Sequence, residues 1–134
     1  PKAFINDTGL AVFLSGYYDV DELRKAREFG AYFETFLYHH LRLLTRLMSP
    51  QGHLYFWRTR AGTEVDFVVE HGKRVAAVEV KSTTAPSYGD IAGLRAFMEE
   101  HPKTAAGILV HGGRAIKRLD EKVIAIPWTM LAGA

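Results

Sequence analysis

With 134 residues, 48% of them hydrophobic and 12% aromatic, the chain is long enough for one domain with a buried core and too apolar for a disordered segment. Seventeen Lys and Arg stand against fifteen Asp and Glu, a net charge of +2, so any nucleic-acid contact has to come from local geometry and not from a strongly basic surface. Cysteine is absent, which excludes disulfides and thiolate metal sites and fits a reducing cytoplasm; no apolar run approaches the roughly 20 residues of a bilayer-spanning helix.

The chain opens at Pro1 without a Met and enters directly into Lys2-Ala3-Phe4-Ile5, the pattern of a short strand in a portion cut from a longer protein. Asn6-Asp7-Thr8-Gly9 turns next, with Asp7 or Thr8 placed to cap a helix through Leu14 that Gly16 closes. Asp21 and Glu22 put negative charge at the start of a second short helix running towards Phe29, with Arg24, Lys25 and Arg27 further along. Residues 1–29 thus read as a helical extension on a core of residues 30–134.

Gly30 to Met48 carries the longest helical pattern. Phe33, Leu37, Leu41, Leu44 and Met48 share one stripe, widened by Phe36, His40, Leu43 and Leu47. Glu34 lies about 100° of rotation from Phe33, at the edge of the stripe. It is either a surface acid pairing with Tyr38 or a nearby base, or an acid facing whatever the helix packs on. His53 to Thr59 is a strand with Leu54 and Phe56 on one face and Tyr55 and Trp57 on the other, both expected to be covered, and Arg58 and Arg60 end it.

The stretch from Glu64 to Lys81, EVDFVVEHGKRVAAVEVK, reads as a hairpin that the other elements present. Alternation sets Val65, Phe67 and Val69 on one face against Glu64, Asp66, Val68 and Glu70, and Ala76, Val78 and Val80 against Val75, Ala77, Glu79 and Lys81. With Gly72-Lys73 as a two-residue turn, Asp66 faces Glu79 and Glu64 faces Lys81; a two-residue slip leaves them diagonal neighbours. Both strands are apolar on both faces, so the hairpin belongs in the middle of its sheet. Two carboxylates a few ångströms apart repel unless a cation or a shared proton relieves them. A hard divalent ion takes such oxygens, and an adjacent ammonium can orient the attacking water. A plain cross-strand ion pair between Glu64 and Lys81 is the alternative.

Ser82 to Pro86 is an irregular crossover, and Ser87 with Asp90 forms a capping-box-like start for a helix that turns Ile91, Leu94, Phe97 and Met98 inward and stops at His101-Pro102. Ala105–His111 is an apolar strand, Gly112-Gly113 a turn, and residues 122–126 the last strand. A helical crossover between the third and fourth strands favours parallel pairing of the two. The fold class is α/β with a mixed sheet and helices on both faces. No P-loop, HExxH array, GxSxG or cysteine nucleophile is present.

A helix acid at Glu34, then Asp66, then Glu79-x-Lys81, across a helix, a three-stranded antiparallel meander, a helix and a strand, resembles the PD-(D/E)xK, or restriction-endonuclease-like, nuclease superfamily. More closely, Phe4-x-x-Asp7-x-Gly9-Leu10, Gly30-x-x-Phe33-Glu34, Tyr55-Phe56-Trp57-Arg58, Glu64-Val65-Asp66-Phe67 and Val78-Glu79-Val80-Lys81 are similar to the C-terminal domain of unknown function that follows an AAA-type ATPase module in many bacterial and archaeal proteins. The resemblance covers nearly the whole chain. It implies a Mg²⁺- or Mn²⁺-dependent phosphodiesterase in which Asp66, Glu79 and the carbonyl of Val80 hold the metal and Lys81 positions the attacking water. Glu34 supplies a further acid and Glu64 supports from behind. Val65 stands where the superfamily pattern has Pro, a change that leaves the carboxylate in place. The implied partners are nucleic acid, with Arg58 and Arg60 as contacts, and the ATPase domain of the parent chain, away from any membrane. The alternative is a catalytically silent binding or regulatory module that keeps the nuclease fold and docks on its ATPase or a partner through the apolar Phe4–Leu14 piece.

Overall fold

One mixed sheet with the strand order β1-β2-β3-β4-β6-β5 organises the computed structural model, which describes residues 2–132. β1 (His53–Arg58), β2 (Glu64–His71) and β3 (Arg74–Lys81) form an antiparallel meander. β4 (Ala106–His111) and β6 (Val123–Pro127) run parallel to β3, and β5 (Lys117–Asp120) closes the far edge antiparallel to β6. The β3–β4 crossover is α4 (Ala92–Glu100), entered through a 3₁₀ turn at Tyr88–Ile91 whose Asp90 carboxylate accepts from both the Ser87 amide and hydroxyl at 2.8 Å. The mixed α/β class, the central hairpin and the parallel pairing therefore stand as the pattern implies.

α3 (Phe29–Leu47) covers one face of the sheet and α4 the other. On the α3 side Phe33, Leu37 and Leu41 pack on Phe67, Val78, Val80 and Val110; on the α4 side Ile91, Leu94 and Phe97 pack on Val65, Val68, Ala77 and Leu109. Fully burying such side chains contributes about 1.5–3 kcal/mol each. The N-terminal arm lies on the α3 side, ahead of α1 (Thr8–Leu14) and α2 (Val20–Lys25).

Three local expectations are corrected, and a fourth difference is an added strand. The buried stripe of α3 is narrower than its hydrophobic pattern: Phe33, Leu37, Leu41 and Thr45 are buried, Leu44 is half-buried, and Leu43, Leu47 and Met48 are exposed, because only an i, i+4 ridge meets the sheet. β1 is not covered on both faces; it is an edge strand, and Tyr55 and Phe56 are more than half exposed. Lys2–Ile5 belongs to no strand. The charged run Lys117-Arg118-Leu119-Asp120 is β5, an edge strand that carries almost no apolar signal.

The fifth difference matters most. Val65 packs with the α4 cluster and Phe67 with the α3 cluster, so they do not share a face. β1 pairs Tyr55 with Val68 but Trp57 with Val65, leaving Asp66 and Phe67 opposite the single residue Phe56. This is a bulge, in which an extra residue bends the strand and re-aims a side chain. The re-aimed residue is Asp66.

Close packing of α4 on the sheet is set by Gly93. A Cβ there would collide with the backbone carbonyl of Glu64 and come within 3.6 Å of Glu79 Oε2, whereas one at Gly30 meets nothing within 4 Å. Gly93→Ala should cost about 1–3 kcal/mol in urea unfolding, and Gly30→Ala should be neutral or stabilise by up to about 1 kcal/mol. Equal effects of the two substitutions would contradict this packing.

Candidate active site

The β2–β3 ladder runs from His71 opposite Arg74 to Phe67 opposite Val78. The same register carried one step further sets Asp66 opposite Glu79, as the two-residue turn at Gly72, with its φ of +61°, requires. Both acids are 7% exposed. Asp66 Oδ2 accepts from the Val80 amide at 2.8 Å, replacing a ladder bond with a side-chain one and fixing the carboxylate against β3. Its other oxygen turns towards the α3 side and accepts from Lys2 Nζ at 3.1 Å.

Lys2 Nζ also donates to Glu34 Oε1 at 2.8 Å. Glu34 therefore pairs with a base, Lys2, and not with Tyr38, and the pair is partly buried beside Asp66. Burial pushes its carboxyl above the usual range, opposed by the hydrogen bond from Lys2 and reinforced by the charge of Asp66. For Lys2, burial alone would lower the ammonium pKa, but Glu34 and Asp66 outweigh it and raise it.

On β3, Lys81 Nζ lies 3.0 Å from Glu79 Oε1. Glu79 Oε2, tucked beside Gly93, is buried and has no hydrogen-bond partner. Burial, then the nearby Asp66 charge, push the Glu79 carboxyl up to about 7, with Lys81 pulling the other way. The Lys81 ammonium would be lowered by burial, yet its contact with Glu79 raises it. The cluster is open on one side, since the Lys81 side chain is 41% exposed while that of Glu79 is 9% exposed.

These acids and bases thus form two short-contact groups, Glu34–Lys2–Asp66 towards α3 and Glu79–Lys81 beside α4, linked by the charge of Asp66 acting on Glu79 and Lys81. Glu64 does not pair with Lys81, which turns to Glu79; it lies 3.9 Å from Arg58, its partner across β1, in an exposed pair. Arg60 is exposed in the β1–β2 turn. A cleft of about 940 Å³ between the N-terminal helices and the ends of β3 and β4 has Phe33 and Ser82 in its wall, each adjacent in sequence to a member of the acid cluster.

A divalent cation fits these donors in one respect: the orphaned buried oxygen of Glu79 faces no proton donor, and an acceptor so placed is costly unless a cation or proton meets it. Among the described residues no three or more His, Asp or Glu side chains are gathered closely enough to hold a metal by themselves. Mg²⁺ commonly makes do with one or two carboxylates and completes its shell with water and phosphate.

Sequence reasoning missed Lys2, Gly93 and the bulge. A lone lysine in an apolar run carries no spacing signal, a helical glycine three residues past Asp90 reads as neutral, and a bulge arises from pairing with β1, which alternation within one strand does not report.

The chain is similar to several known proteins. A family model described as a domain of unknown function, DUF4143, matches residues 29–131. The uncharacterized protein Rv2008c of Mycobacterium tuberculosis and the uncharacterized protein Mb2031c of Mycobacterium bovis are each 33% identical over 127 residues, 95% of this chain and 27% of theirs. The chain thus spans about a quarter of the length of these relatives. One chain of a half-complex from a tetradecameric assembly of Thermococcus gammatolerans McrB AAA+ hexamers with bound McrC shares the fold with a TM-score of 0.51 at 15% identity, over 74% of this chain and 27% of that one.

A carboxyl raised from 4.5 to about 7 holds in the folded protein a proton that the unfolded chain releases. Its contribution to stability therefore declines as pH rises from about 4.5 to about 7 and is constant above. In chelator, the unfolding midpoint should fall across that window, and Glu79→Gln should flatten the fall. An unchanged slope in the variant would contradict the assignment.

Proposed function

We propose, from the premise that this chain belongs to the DUF4143 family, that it is the metal-dependent phosphodiesterase arm of a longer AAA-type ATPase protein, cleaving DNA or RNA. The observation that carries the reading is the buried, unpartnered Oε2 of Glu79 beside a second buried carboxylate and an exposed lysine. The short span relative to the relatives supports a larger parent chain, and fold likeness to a chain of an assembly containing AAA+ hexamers supports an ATPase as its partner.

Asp66, Glu79 and the Val80 carbonyl would hold Mg²⁺ or Mn²⁺. When bound, the ion supplies polarisation of a phosphate oxygen and acidification of a water. Val80 N–H keeps Asp66 oriented without withdrawing both of its oxygens. Lys81, paired with Glu79 and open to solvent, holds and orients the water that attacks phosphorus. Glu34 adds negative charge from α3, which favours a cation in the cluster. Arg58, whose exposed contact with Glu64 at 3.9 Å contributes little, is free to exchange that partner for a phosphate, with Arg60 beside it.

A second reading rests on Leu10, Phe13 and Leu14 of α1, all more than half exposed. Such side chains suit a docking face, and in a catalytically silent module they would be the working surface.

With Mg²⁺ or Mn²⁺ the full-length protein should cleave at least one of single-stranded, duplex and branched substrates, and Lys81→Ala should slow cleavage by roughly 10²–10⁴. No cleavage of any of the three, with partner binding lost in Leu14→Asp and kept in Lys81→Ala, would favour the silent module instead.

A further inference from the structure

Two cations drawn to one carboxylate oxygen repel each other, and Asp66 Oδ1 already accepts from one. Lys2 Nζ lies 3.1 Å from it and 2.8 Å from Glu34 Oε1, between an acid of β2 and an acid of α3. We propose that the Lys2 ammonium is a resident counter-ion of this acid cluster, holding Glu34 and Asp66 in position in the metal-free protein and giving up Asp66 when a divalent cation binds. The inference rests on the metal-dependent reading above and adds to it a residue outside the metal-binding set.

Three observations carry it. Two carboxylates, Glu34 and Asp66, touch Lys2, and a third, Glu79, pairs with Lys81 and also feels the charge of Lys2, so three carboxylates stand against two ammoniums. Withdrawing Lys2 leaves an excess charge that one divalent ion neutralises, so the lysine and the metal answer the same electrostatic demand. The arm that delivers Lys2 is also specifically anchored: Phe4 stacks on Tyr38 with centroids 4.1 Å apart and planes 9° from parallel, and His39 Nε2 donates to the Ile5 carbonyl at 2.7 Å. Those anchors hold the backbone while the long lysine stem, whose side chain is 26% exposed, can swing its head to water. Finally, residues 2–5 form no ladder with the sheet, so retreat of the ammonium breaks no sheet hydrogen bond.

Lys2 is a positioning residue in this account, and its test does not rely on cleavage. Mn²⁺ binding to the full-length protein is measured by calorimetry for the wild type and for Lys2→Met, which keeps the stem and removes the charge, with Asp66→Asn setting the background of unrelated sites. The expected result is a Kd lower by about tenfold in Lys2→Met, equivalent to about 1.4 kcal/mol. In parallel, acylation of Lys2 in the wild type by an amine-reactive reagent, read by mass spectrometry, should be slow in chelator and faster in saturating Mn²⁺. This second measurement decides the matter alone if Lys2→Met does not fold. Equal or weaker Mn²⁺ binding in the variant, or Lys2 acylation that ignores Mn²⁺ shown to be bound, overturns the inference and leaves the metal-dependent reading standing. Absence of Mn²⁺ binding above the Asp66→Asn background in both proteins overturns both.

Discussion

Asp66 divides its two carboxylate oxygens between the Val80 amide and the Lys2 ammonium, and the site depends on that division. The first bond ties the acid to β3 beside Glu79; the second ties it, through Lys2, to Glu34 on α3. Neither is available to an aspartate in a regular strand, whose side chain would point squarely to one face. The bulge opposite Phe56 frees Asp66 from that constraint and lets one residue tie β3 to the N-terminal arm on the α3 side.

The surrounding fold is arranged to keep this cluster dry on one side and open on the other. α4 lies close on the sheet because Gly93 has no side chain, and this seals Glu79 Oε2 away from water. Lys81, Lys2 and Glu34 remain partly exposed at the mouth. Burial raises the free energy of the charged form of Glu79, and only a proton or a cation lowers it again. The strain is electrostatic, held in place by the packing of Ile91, Leu94 and Phe97 on the central strands.

Much of this architecture is legible in the chain. The alternating hairpin, its glycine turn and the crossover helix gave the mixed sheet, the register and the pairing of Asp66 with Glu79, because period and turn chemistry act locally. What local pattern does not carry is contact between distant segments. Lys2 meets Glu34 and Asp66 only after the N-terminal arm has stacked Phe4 on Tyr38, and Val65 parts from Phe67 only because β1 pairs unevenly with β2. Edge strands fail for a related reason: β1 is aromatic yet half exposed, and β5 is charged yet paired, since one neighbour and not two sets their burial. The roles of Asp66, Glu79, Val80 and Lys81 in chemistry are proposals, as are Mg²⁺ and nucleic acid as their ligands.

Anomalous diffraction from a Mn²⁺-soaked crystal tests the central claim most directly. The account predicts one peak between the carboxylates of Asp66 and Glu79, with the Lys2 ammonium withdrawn from Asp66. Saturating Mn²⁺ with no peak there, and Lys2 still bridging Glu34 and Asp66, would contradict it.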